Sequence, residues 1–106
     1  MSALYIYPQQ MLPAPELITA MTGSSVLIGM LLHIPVKLIL DNQSTSAVVL
    51  SVSLNAGESL TQFKTFQAGE ALILDDDIYT FPKGAQFYGN GAANGSFSIS
   101  YTYINL

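Results

Sequence analysis

Ala47-Val48-Val49-Leu50-Ser51-Val52-Ser53-Leu54 is the stretch whose reading decides the fold. In an extended chain successive side chains point to opposite faces, so Val48, Leu50, Val52 and Leu54 share one side and Ser51 and Ser53 the other. One face is apolar and the other wet, which is the pattern of a half-buried strand in an antiparallel sheet. Ser96 to Ile104 repeats it, with Phe97, Ile99, Tyr101 and Tyr103 set against Ser98, Ser100 and Thr102.

Working outward, Asp41-Asn42-Gln43-Ser44-Thr45-Ser46 is a polar turn cluster. Before it, Val36-Lys37-Leu38-Ile39-Leu40 places Val36, Leu38 and Leu40 on one face, and the two strands read as a hairpin. Ser25 to Leu31 is a continuous apolar run containing Gly29 and reads as a buried strand. On the other side, Asn55-Ala56-Gly57-Glu58 turns the chain into Ser59 to Phe66. The anchors of that segment, Leu60, Phe63 and Phe66, are unevenly spaced and predict a bulge. Gln67-Ala68-Gly69-Glu70 is the next turn, Ala71-Leu72-Ile73-Leu74 a short strand, and Asp75-Asp76-Asp77 its end. Ile78 to Phe81 reads as another short strand, stopped by Pro82. Gly89 to Gly95, with two asparagines among its glycines, reads as a long hairpin tip.

Seven or eight short strands punctuated by turns predict an all-β fold, an antiparallel β-sandwich over residues 23–106, jelly-roll-like or immunoglobulin-like. Residues 1–22 read as an extended N-terminal arm. Leu4-Tyr5-Ile6-Tyr7 suits a strand, but Pro8, Pro13 and Pro15 interrupt regular pairing. Pro15 to Met21 suits a short helical turn with proline at its first position, closed by Gly23.

Composition bears on function. Only 9% of the residues are charged, against about 25% in an average soluble domain. The cations are Lys37, Lys64 and Lys83, and the net charge is −4. Three scattered lysines cannot follow a phosphate backbone, so no nucleic-acid partner is expected. The most apolar run, Val26 to Leu40, is interrupted by His33, Pro35 and Lys37 and is too short to span a membrane. The absence of Cys removes disulfides and thiolate chemistry. Low charge is also the mark of surfaces that become buried between proteins.

Chemistry is sparsely provided for. His33, the single histidine, stands between Leu32 and Ile34, with no sign of the acid and nucleophile that a catalytic imidazole needs. It reads as a partly buried residue bonded to backbone, and the chain as no enzyme and without a cofactor. Asp75, Asp76 and Asp77 could offer oxygens to Ca²⁺, but consecutive strand residues point in different directions, and a solvated turn is the simpler reading. Tyr88, Asn90 and Asn94 could meet a sugar, which makes a carbohydrate- or cell-surface-binding module, calcium-assisted or not, the alternative function.

Leu38-Ile39-Leu40-Asp41-Asn42-Gln43-Ser44, then Thr65-Phe66-Gln67-Ala68-Gly69-Glu70-Ala71-Leu72, Phe87-Tyr88-Gly89-Asn90-Gly91 and Gly95-Ser96-Phe97-Ser98-Ile99-Ser100-Tyr101 carry a likeness. From about Val36 to Tyr103 the chain resembles small β-sandwich proteins of tailed-bacteriophage virions, of the capsid decoration, cement and head or fibre accessory kind. That resemblance implies a structural subunit in the virion, made in the host cytoplasm, that docks on a capsid or other virion protein. Self-association as a dimer or trimer is the expected mode. The candidate contact is the apolar arm: Tyr5, Ile6, Tyr7, Met11 and Leu12, followed by Leu17, Ile18 and Met21.

Overall fold

Leu38 and Leu40 face Val48, Leu50 and Val52 across a core, because the chain changes sheets at the turn between them. The computed structural model describes residues 11–55, 58–75 and 81–104, and within them nine strands. These are β1 (Met11–Pro13), β2 (Leu17–Ala20), β3 (Val26–Met30), β4 (Lys37–Asn42), β5 (Val48–Ser53), β6 (Thr61–Phe66), β7 (Ala71–Leu74), β8 (Gln86–Gly91) and β9 (Ser96–Ile104). One sheet has the order β1-β9-β4-β7, with β2 following β1 along the same flank of β9; the other has the order β3-β8-β5-β6. All neighbours are antiparallel. The fold is an antiparallel β-sandwich.

The strand order settles the topology as a jelly roll, since β2-β9-β4-β7 facing β3-β8-β5-β6 is the arrangement of two interleaved Greek keys. The β4–β5 hairpin read from the sequence is therefore corrected. Alternation shows which side chains face the core, but not which sheet a strand joins. Among these strands only β5 and β6 are consecutive neighbours within one sheet, and their register shifts between Leu50 and Ser51, the bulge that the spacing of Phe63 and Phe66 announced. Phe66, Phe87 and Phe97 fill the centre, with Phe66 edge-on to Phe97 at 5.1 Å and Phe87 edge-on to Phe81 at 5.2 Å.

The N-terminal half of the chain departs further from expectation. No helical turn forms at Pro15–Met21; Leu17–Ala20 is strand β2, paired with Ser96–Ile99. β1 pairs with the other end of β9, and the register slips by one residue between Pro13 and Leu17. Prolines are tolerated there because this is the edge of the sheet, where a missing N–H leaves no partner unpaired. At least residues 11–20 of the expected arm thus belong to the sandwich. β3 is an edge strand with Leu27 and Met30 exposed, not a strand buried on both faces. Gly89, Asn90 and Gly91 lie within β8, which shortens the expected tip to the turn 92–95 between the sheets. Gly91 is there for space: a Cβ on it would stand 2.6 Å from Val48 Cγ2.

Candidate functional site

The jelly-roll path gathers its connections at two ends. At one end lie the turns after β2, β4, β6 and β8, which cross between the sheets and are tied together by hydrogen bonds. Asn42, fully buried, donates from Nδ2 to the carbonyls of Ser46 (3.0 Å), Phe66 (3.3 Å) and Gln67 (2.9 Å) and accepts from the Ser44 amide on Oδ1 (2.9 Å). Ser44 Oγ donates to the Ser96 carbonyl. Glu70 closes the β6–β7 turn, accepting from the Gln67 amide (2.8 Å) and pairing with Lys64 Nζ (3.0 Å). The Gln67 N–H, and after it the Lys64 ammonium, hold the Glu70 carboxyl below its ordinary pKa.

The other end is built differently. Between β3 and β4 the chain crosses from one sheet to the other, bending at Leu32, His33 and Val36. Its backbone is pinned where Leu31 donates to Ala85 O (2.9 Å), Gly84 donates to Leu31 O (2.8 Å) and Val36 donates to Thr102 O (2.8 Å). The Leu32 amide donates to Tyr101 Oη (3.1 Å), and His33 lies flat on Tyr103 with ring centroids 3.7 Å apart. Along this connection Leu31 is buried, while Met30, Leu32, Ile34 and Val36 face outward. They are 38%, 53%, 62% and 38% exposed. Leu54 and Leu60, in the β5–β6 connection, are exposed at this end as well. Val36 and Leu54 were expected on the inner faces of their strands; each falls just outside its strand, where the chain has left the sheet. His33 is partly buried, as expected, and its ring stacks on Tyr103.

Open sandwiches have edges, and these edges are not equally protected. The β1–β2 edge carries Pro13, Pro15 and a register slip, β3 is bulged between Leu27 and Gly29, and β6 is bulged and carries Lys64. Each device discourages pairing with another chain. β7 has none of them within Ala71–Leu74. Glu70 O accepts from Asn42 N on the β4 side, so alternation leaves the N–H and C=O groups of Ala71 and Ile73 pointing to the open side. Ile73 is itself exposed.

The other residues singled out from the sequence are dispersed. Met11 and Ile18 are exposed, Leu12 and Leu17 half-buried, and Met21 buried in the core. Tyr5, Ile6 and Tyr7 lie outside the described residues, as do Asp76 and Asp77; Asp75 is exposed. Among the described residues no cluster of His, Asp and Glu could hold a metal. Tyr88 and Asn90 share the outer face of the second sheet, where Tyr88 Oη bonds Gln86 Oε1 at 3.3 Å. Asn94 is away from them in the β8–β9 turn, at φ 75°, beside a polar cleft of about 170 Å³ lined by residues including Gln43, Ser44 and Ser46. A single sugar site built from all three is not assembled.

No protein-family model and no curated protein matches the chain. Among solved structures it is similar in fold to a chain described by the words "Bacillus endospore appendages form a novel family of disulfide-linked pili". The TM-score is 0.55 and the identity 13%, over 100% of this chain and 98% of that one.

Proposed function

We propose that this protein is a non-enzymatic structural subunit that self-associates into a larger assembly. The observation that carries the proposal is the β7 edge, where among the described residues the N–H and C=O groups of Ala71 and Ile73 face the open side and the strand holds no proline, bulge or charge. Low charge and the exposed aliphatic row at the loop end support it, because neither favours a solitary monomer. The sequence resemblance to virion accessories and the fold likeness to a pilus chain share one property, a sandwich used as a building block. The first suggests a place on a virion shell, the second a filament.

The β7 edge can meet a different edge of the next copy, which is a head-to-tail contact that makes rings or filaments. With no Cys in the chain, the links formed by these residues are noncovalent, unlike those described for the pilus.

Light scattering with negative-stain electron microscopy tests the proposal. The expected result is a mass several times 11.4 kDa, unaffected by reductant, with shell or filament morphology separating the two settings. Ile73→Pro removes an outward N–H without touching the bonds to β4 and is expected to shorten the assemblies, while Ile73→Thr leaves them intact. A wild-type monomer at high concentration would sink the proposal.

A further inference from the structure

Resting on that self-association reading, we infer that the aliphatic row Met30–Val36 of one copy is the seat of the apolar segment Leu4–Tyr7 of a second copy. The row cannot hide its own side chains. Its backbone is pinned at Leu31, Leu32 and Val36, and the His33–Tyr103 stack clamps it between those points. Leu32, Ile34 and their neighbours therefore stay in water until another chain covers them.

The chemistry of the row selects what covers it. From Met30 to Val36 the only titratable side chain is His33, and its ring is turned onto Tyr103. An uncharged, apolar, extended occupant fits. Leu4-Tyr5-Ile6-Tyr7 has no charged residue, and its aromatic and β-branched side chains suit an extended chain.

Placement brings the segment to the row. Met11 lies opposite Ile104, at the loop end, where the described chain begins. The segment lies four to seven positions before Met11, a reach of about 13–23 Å of extended chain. Where copies meet at this end, the segment of one comes within reach of the row of the next. Each copy then gives a segment and receives one, which is again a head-to-tail contact.

Two substitutions in the full chain test this by native mass. Ile6→Asp blocks the segment and leaves the row intact; Ile34→Asp does the reverse. Each alone is expected to fall to a monomer with an unchanged circular dichroism spectrum, because a four-residue β7 edge buries far less than the roughly 800 Å² per partner of a stable contact. An equimolar mixture is expected to form a one-to-one pair, since one intact segment and one intact row remain. The peptide Met1–Gln10 is expected to shift the amide resonances of Leu32 to Val36 in the Ile6→Asp protein and to leave the Ile34→Asp protein unchanged. Wild-type mass in either variant, or a mixture that stays monomeric, overturns the inference while the self-association reading stands. A wild-type monomer overturns both.

Discussion

The two ends of the sandwich are made from the same kind of connection and finished in opposite ways. At the turn end, three carbonyls at or beside the β4–β5 and β6–β7 turns are satisfied by one side chain, Asn42, and the exposed turn positions are polar residues, glycines and alanines. At the loop end the backbone is equally well bonded, yet the side chains that face water are Leu32, Ile34, Leu54 and Leu60. Folding alone accounts for the turn end. It does not account for the loop end, where apolar surface stays uncovered on a backbone that cannot move to cover it. The difference separates what holds the subunit together from what joins it to others.

Breaking the turn end gives the largest expected effect on stability. Asn42→Ala removes the donor to three carbonyls, the buried one of Phe66 and the partly buried ones of Ser46 and Gln67, and leaves them unpaired. At about 1–3 kcal/mol for each unmet buried group, a loss of about 3 kcal/mol is expected in urea unfolding. A loss under 1 kcal/mol would mean that water replaces the amide and that this end is less closed than it looks. Gly91→Ala comes next. The new Cβ meets Val48 Cγ2 at 2.6 Å and Ala47 O at 3.3 Å, inside a core that cannot yield freely. Overpacking of this kind costs about 1–3 kcal/mol, whereas Gly29→Ala, whose nearest contacts are Leu17 Cδ1 and Cδ2 at 2.9 Å and Cβ at 3.1 Å with no backbone atom among them, is expected to cost less. His33→Ala should cost about 1 kcal/mol through the lost stack on Tyr103. It loosens the row without touching its aliphatic side chains.

The same contrast explains what was legible in the sequence. β5 and β9 could be read directly because alternation and burial agree from Val48 to Val52 and, apart from the buried Ser98 that bonds Glu16, from Phe97 to Tyr101. β2 was misread because Glu16-Leu17-Ile18-Thr19-Ala20 suits a helix about as well as a strand, and pairing with β9 decided the matter. Asn42 looked like any turn asparagine; nothing in one sequence distinguishes a solvated amide from one buried under three carbonyls. The aliphatic row was hidden for the opposite reason. Val36 and Leu54 continue the alternation of their strands, so they read as core, and only the path of the chain shows that the sheet has already ended.

Acid should act on the turn end and leave the loop end alone. Glu70 has its pKa lowered in the folded protein, first by the Gln67 amide and then by Lys64. Its contribution is thus fully present above the ordinary carboxylate value of 4.5 and is lost as pH falls through the lower folded value. The difference in unfolding midpoint between wild type and Glu70→Gln is expected to shrink below about pH 4.5. A difference that stays constant would show that the turn is held without the charged carboxylate.

The smallest expected change in stability belongs to Ile34→Ser. Ile34 is 62% exposed on a backbone fixed by its neighbours, so the substitution removes no core contact. Exposed positions of this kind shift stability by about 0.5 kcal/mol or less. Native mass is expected to fall all the same, because the lost surface matters only when another chain lies on it. A variant that unfolds more easily in proportion to its loss of mass would mean that Ile34 serves the fold, and the division between the two ends would fail. A variant that keeps its unfolding midpoint and loses its partners separates the two roles at a single side chain.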